Sequence, residues 1–208
     1  MEKILLFCCL FFVFAGCKKE SSGQFSVHGF VTDESLNQPL VNATIYVQEK
    51  ALGKFEYETI ASTKTDANGK YSISFSRDKV ENYQLVVQKD NYFDSKQVIL
   101  FQDLDPKTSK EYNLSTTSYS WVRVHLLNVD PVLTDHLLYQ KTKGRTGCID
   151  CCENDEKDFI GELDTTFNCL TDGGKPYAFY YEVNNSQMIG TKDTVTTPLD
   201  TVTLELKY

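Results

Sequence analysis

"VHGFVTDESLNQPLVNATIYV" (residues 27–47) and, after a spacer, "TKTDANGKYSISF" (63–75) are the stretches whose reading decides the fold. In "VNATIYVQ" (41–48), Ala43, Ile45 and Val47 alternate with Asn42, Thr44 and Tyr46. A period of two places one set on each face, so the segment predicts a half-buried β-strand. Tyr71, Ile73 and Phe75 alternate with serines in the same way. Turn chemistry separates the strands at 33–39, which ends in Pro39, and at "DANG" (66–69). There Asn68-Gly69 predicts a hairpin, because both residues accept positive φ. "YQLVVQ" (83–88) and "KQVILF" (96–101) supply two more strands. No amphipathic helix of useful length is present, and strands at this spacing predict an antiparallel sandwich.

These stretches resemble the carboxypeptidase regulatory-like domain. Val27, Gly29 and Val31 match its Val-x-Gly-x-Val strand, and Pro39-Leu40 matches the end of its polar loop. Thr65, Asp66, Gly69 and Tyr71 match its Thr-Asp-x-x-Gly-x-Tyr hairpin. "EKALGKFEYETIAST" (49–63) is longer than the corresponding stretch in many members. The resemblance implies a transthyretin-like β-sandwich over 25–116. It also implies a non-catalytic role, since members are appendages of peptidases, outer-membrane receptors and surface lipoproteins. Read as residues alone, Gly69 permits the turn, Asp66 caps it and Tyr71 begins a buried strand, so these positions are structural and not a site.

Residues 4–14 are 11 consecutive apolar residues after Lys3. A bilayer core needs about 20, so the run is too short to span and suits a secretory signal. It ends in Ala15-Gly16-Cys17, which resembles a bacterial lipobox except that Phe14 stands where leucine is usual. The resemblance implies a signal peptide over 1–16, lipidation of Cys17 and a lipidated tether over 17–24. Two or more acyl chains anchor a protein stably. The expected location is the outer membrane, facing either the surface or the periplasm. The only partner expected from this segment is the membrane itself, through the lipid at Cys17.

After "LSTTSYS" (114–120), a short linker or a last strand running on, a second module is expected over 117–208. "WVRVHLLNV", "YAFYYEV" and "DTVTLELKY" read as its strands, while 138–176 has weak periodicity and reads as a long loop with one or two short strands. The expectation is all-β overall: a transthyretin-like sandwich followed by an Ig-like or transthyretin-like one. The two halves do not repeat each other closely in sequence.

Cys148, Cys151, Cys152 and Cys169 lie in this module. Outside the cytoplasm they should oxidise. Four cysteines allow three pairings, and the vicinal Cys151–Cys152 bond is strained. Cys169 therefore pairs with Cys151 or Cys152, and Cys148 with the other. A link to Cys169 closes a loop of roughly 20 residues and removes about 3 kcal/mol of unfolded-state entropy. The rival reading is zinc on C-x2-C-C with His136, but no second C-x2-C completes the set. A redox C-x-x-C lacks the helix that would depress a thiol pKa.

No catalytic fingerprint occurs. His28, His125 and His136 are expected to be structural. "DPVLTD" and "ENDEKD" carry carboxylates without the glycine of an EF-hand, so calcium is not assigned. Asp-Thr pairs at 164–165, 193–194 and 200–201 resemble a bacterial O-glycosylation signal. In "YAFYYEV", Tyr177, Phe179 and Tyr181 share one face, with Ala178 and Tyr180 on the other. One face is core; the other could form an aromatic platform for a glycan or peptide. The net charge of −8 argues against nucleic acid. The sequence thus reads as a non-enzymatic, membrane-anchored scaffold or binding module of the cell envelope, with no cofactor or metal and with an envelope protein or glycan as partner. Two alternatives are an accessory subunit of an outer-membrane transport or secretion complex, and a zinc- or calcium-binding envelope protein.

Overall fold

The computed structural model describes residues 23–208. The apolar run, the cleavage site and Cys17 lie outside the described residues. What is described folds as two β-sandwiches in series.

The first sandwich contains β1 (Gln24–Asp33), β2 (Gln38–Pro39), β3 (Thr44–Ala51), β4 (Glu58–Lys64), β5 (Lys70–Ser76), β6 (Val80–Gln88), β7 (Ser95–Leu100), β8 (Lys110–Glu111) and β9 (Leu114–Thr116). A single 3-10 turn, Phe101–Asp103, interrupts the strands. One sheet is built on β1, which pairs antiparallel with β2 and β5 and parallel with β8 and β9. The other runs β4-β3-β6-β7, all antiparallel. Alternation decides which side faces in: Ile45 and Val47 are buried, while Thr44 and Tyr46 stand outward. Phe25, Phe75 and Tyr83 meet in the core with ring centroids 5.0–6.0 Å apart.

"DANG" is not the hairpin that its composition predicts. It connects β4 to β5, and these strands lie in different sheets. Only Gly69 takes positive φ (72°). The Asp66 carboxylate accepts the amides of Asn68 and Lys70, each at 2.8 Å, and so holds the crossover.

The second sandwich contains β10 (Tyr119–Leu127), β11 (His136–Lys143), β12 (Glu156–Ile160), β13 (Asp164–Asp172), β14 (Pro176–Val183), β15 (Met188–Val195) and β16 (Thr201–Lys207). The expected long loop at 138–176 is instead most of β11, all of β12 and the nine-residue β13. Its buried positions are filled by Lys141, Cys169 and Thr171 among others, so period-two hydrophobicity is absent although the strands are real.

The wiring of the two sandwiches is the same. β10 pairs antiparallel with β13 and parallel with β16, as β1 pairs with β5 and β9. The second sheet runs β12-β11-β14-β15, matching β4-β3-β6-β7 strand for strand. The second module therefore repeats the topology of the first. β9 ends at Thr116 and β10 begins at Tyr119, so one strand runs almost directly into the next.

Candidate functional site

The family motif in the first sandwich is explained by backbone approach and hydrogen bonding. A Cβ on Gly29 would sit 1.9 Å from the Tyr112 carbonyl oxygen, because the chain between β8 and β9 runs close alongside β1 there. Added to Gly69, a Cβ would sit 2.7 Å from the Val31 carbonyl oxygen. The Thr65 hydroxyl donates to the Leu40 carbonyl (2.6 Å) and accepts the Ala43 amide (2.8 Å). Buried Asp33 accepts the Ser35 amide and the Tyr92 hydroxyl, each at 2.8 Å. Every one of these groups is committed to holding loops.

In the second sandwich the cysteines pair as Cys148–Cys151 and Cys152–Cys169. None offers a thiolate to a metal. Leu170 donates its amide to the Asp150 carbonyl (2.7 Å), so the cystine loop covers the free edge of β13. Lys141 is 1 % exposed and points into this loop. Its ammonium donates to the carbonyls of Arg145 (2.6 Å), Cys151 (2.9 Å) and Cys152. Desolvation pulls its pKa below the ordinary lysine value, against the pull of Glu153.

The histidines are dispersed. His28 bonds Ser109 at 2.8 Å, His136 lies 2.8 Å from Asp158, and His125 bridges Asp164 (2.9 Å) and Glu205 (3.0 Å). Asp135 accepts the side-chain amides of Asn128 (2.8 Å) and Asn184 (3.0 Å) and the Val132 amide (2.9 Å). These bonds, Asn128's first, lower its pKa and tie two loops together. Among the described residues no group of three or more His, Cys, Asp or Glu side chains is placed to hold a metal. Of the glycosylation candidates, Thr201 is exposed, whereas Thr165 lies in register with buried Leu126.

The densest polar constellation lies at the junction, and sequence reasoning did not single it out. The Ser118 amide donates to the Ser35 hydroxyl (2.8 Å) and the Tyr119 amide to the Asn91 carbonyl (2.7 Å), both toward the first sandwich. The Ser118 and Tyr119 carbonyls accept the amides of Gly173 and Leu199, each at 2.8 Å, within the second. Arg145 forks onto Asp172 (Nη2–Oδ1 2.6 Å, Nε–Oδ2 3.1 Å), and Asp172 also accepts the Thr117 hydroxyl. The Arg145 guanidinium lies 3.6 Å from the centre of the Phe93 ring, which packs on Tyr119 at 4.6 Å. Lys175 reaches Glu34 at 3.4 Å. The sequence signal for this was faint: small, hydroxylated residues at 115–120 that end up buried instead of solvated.

The face question in β14 is settled. Tyr177, Phe179 and Tyr181 are core, and Ala178, Tyr180 and Glu182 belong to the outer face. Tyr180 is half-exposed, its hydroxyl donating to Glu182 at 3.1 Å.

Wiring and core define a tandem β-sandwich protein. Residues 26–114 match the family model of the carboxypeptidase regulatory-like domain. No curated protein matches the chain. Among solved structures it is similar to the TIE protein of Bacillus anthracis (TM-score 0.38, 10% identity, covering 89% of this chain and 34% of that one). A minor pilin of Streptococcus agalactiae aligns with TM-score 0.34 and 11% identity over 88% of this chain and 94% of the pilin. For 3-chlorocatechol 1,2-dioxygenase of Rhodococcus opacus the TM-score is 0.36 and the identity 12%, over 49% and 62%. The chain spans about a third of the length of the TIE protein. At these identities nothing about activity transfers. No helix among the described residues is long and apolar enough to cross a membrane.

Proposed function

We propose that the chain is a non-enzymatic strut of the cell envelope, anchored to the outer membrane through a lipidated Cys17 and holding its second sandwich at a fixed angle and distance. The observation that carries this reading is the junction. A flexible tether between domains is Gly/Ser-rich and solvated. Here the two residues between β9 and β10 are buried, and their backbone groups bond into both sandwiches. The Arg145–Asp172 fork, within the second sandwich, fixes the guanidinium, and its stacking on Phe93 adds a cation–π contact across the boundary. Cystines in the second sandwich favour an oxidising compartment.

Two measurements test the two parts of the proposal. Spin labels carried on unnatural residues at exposed Lys54 and Lys157 report the distance between the sandwiches. The native chain should give one narrow distribution and Arg145→Ala a broader one; a broad distribution in the native chain overturns the strut. Anchoring is read by fractionation: Cys17→Ser should move the protein from membrane to soluble extract, and an unchanged membrane fraction overturns the lipid anchor.

A further inference from the structure

The outer face of the β12-β11-β14-β15 sheet carries a depression of about 680 Å³. Its position follows from register. One cross-strand row is Gln140–Tyr180–Thr191, and the next is Lys143–Ala178–Asp193. Residues in a row share a face, so all six stand outward. Ala178 is the smallest of them and forms the floor, while the Tyr180 ring forms a wall. A β-bulge between Lys141 and Lys143 adds Thr142 to the rim beside Lys143.

We propose that this depression binds a neutral oligosaccharide. A sugar ring offers an apolar C–H face and pairs of adjacent hydroxyls. The tyrosine ring suits the former, and the Gln140 amide, the Thr142 and Thr191 hydroxyls, the Lys143 ammonium and the Asp193 carboxylate suit the latter. Lys143 and Asp193 cancel, so the rim selects neither an anionic nor a cationic ligand. A peptide is the poorer fit. β14 is bonded on both sides, by β11 and β15, so its backbone has no free ladder to offer an added strand. Because the site sits on a rigid sheet face, little ordering opposes binding.

The test is saturation-transfer NMR on the full chain with maltotriose, cellotriose, mannotriose, xylotriose and chitotriose, each at about 5 mM, and trigalacturonate as the acidic comparator. At least one neutral trisaccharide should show transfer. Tyr180→Ala should weaken its binding about tenfold, the size of one lost aromatic contact. Ala178→Arg, which fills the floor, should abolish it, and Tyr46→Ala in the first sandwich should leave it unchanged. The rim pair Lys143→Ala and Asp193→Ala, at exposed positions that leave the core untouched, should also weaken binding and serves if Ala178→Arg fails to fold. Transfer from none of the neutral sugars, transfer only from trigalacturonate, or binding that survives both Tyr180→Ala and the rim pair overturns the proposal.

Discussion

Phe25, Phe75 and Tyr83 fill the centre of the first sandwich with ring against ring. The equivalent layer of the second holds Tyr139 and Tyr177 with their hydroxyls 3.3 Å apart, the Tyr177 hydroxyl on the Cys169 sulfur, and an ammonium caged by carbonyls below. Burial raises the pKa of the Tyr139 and Tyr177 phenols above the ordinary value. The wiring is the same in both, but the second adds cystines and buried polar contacts to an apolar core of its own. Strand order is dictated by which edges pair and which faces meet, and that can be satisfied by apolar packing alone or with cystines and buried polar contacts added. The comparison predicts that perturbations of one sandwich leave the other folded, and that the two fail by different routes.

The largest effect should come from Gly29→Ala. The obstacle is the backbone carbonyl of Tyr112 at 1.9 Å, which cannot rotate away as a side chain would. Relieving it means displacing the parallel strands β8 and β9, at a cost of about 4 kcal/mol. Amide exchange should show lost protection in β1 and β5, with β10 and β14 still protected. Equal loss in both sandwiches would mean that they fold as one unit and would break the comparison.

Next in size is removal of the Cys152–Cys169 bond by Cys152→Ser with Cys169→Ser. The bond closes 17 residues, so its loss should cost about 3 kcal/mol in the chain-entropy account. Trp121 is the only tryptophan in the chain and sits in β10, so its fluorescence in a urea titration reports the second sandwich. The midpoint should fall, while exchange protection in β3 and β6 stays as it was. An unmoved midpoint would show that the packed core, and not the cystine, holds the second sandwich.

The same contrast explains what was legible beforehand. In the first sandwich the code is apolar alternation plus turn residues, and both survive as one-dimensional patterns: Ala43, Ile45 and Val47 face inward as read. The second hides its strands because buried positions are occupied by Lys141, Thr171 and Cys169, which no hydrophobic period counts. The "DANG" turn was legible as a turn but not as a passage between sheets, since partner choice is decided by long-range pairing with β1 and not by the turn itself. Of the Ala178 depression, only Tyr180 and Ala178, side by side on one face of β14, were visible. Its rim depends on cross-strand register and on a bulge, and neither leaves a trace along one strand.

The smallest effect concerns a device the first sandwich lacks. His125 lies on the outer face of β10, with Nε2 on Asp164 of β13 and Nδ1 on Glu205 of β16, so one imidazole ties all three strands of its sheet. Both nitrogens can donate only when the ring is protonated. The hydrogen bond to Asp164, with that to Glu205, raises its pKa above the ordinary 6.5. A histidine with a raised folded pKa contributes its stabilisation fully below the unfolded value and loses it as pH rises through the folded one. The urea midpoint read by Trp121 should therefore drift downward between slightly acidic and mildly alkaline pH. His125→Gln should flatten that drift without altering exchange protection in the first sandwich. The ring is partly open to solvent, so added salt should shrink the drift as well. A slope that survives His125→Gln would place the titrating group elsewhere in the second sandwich.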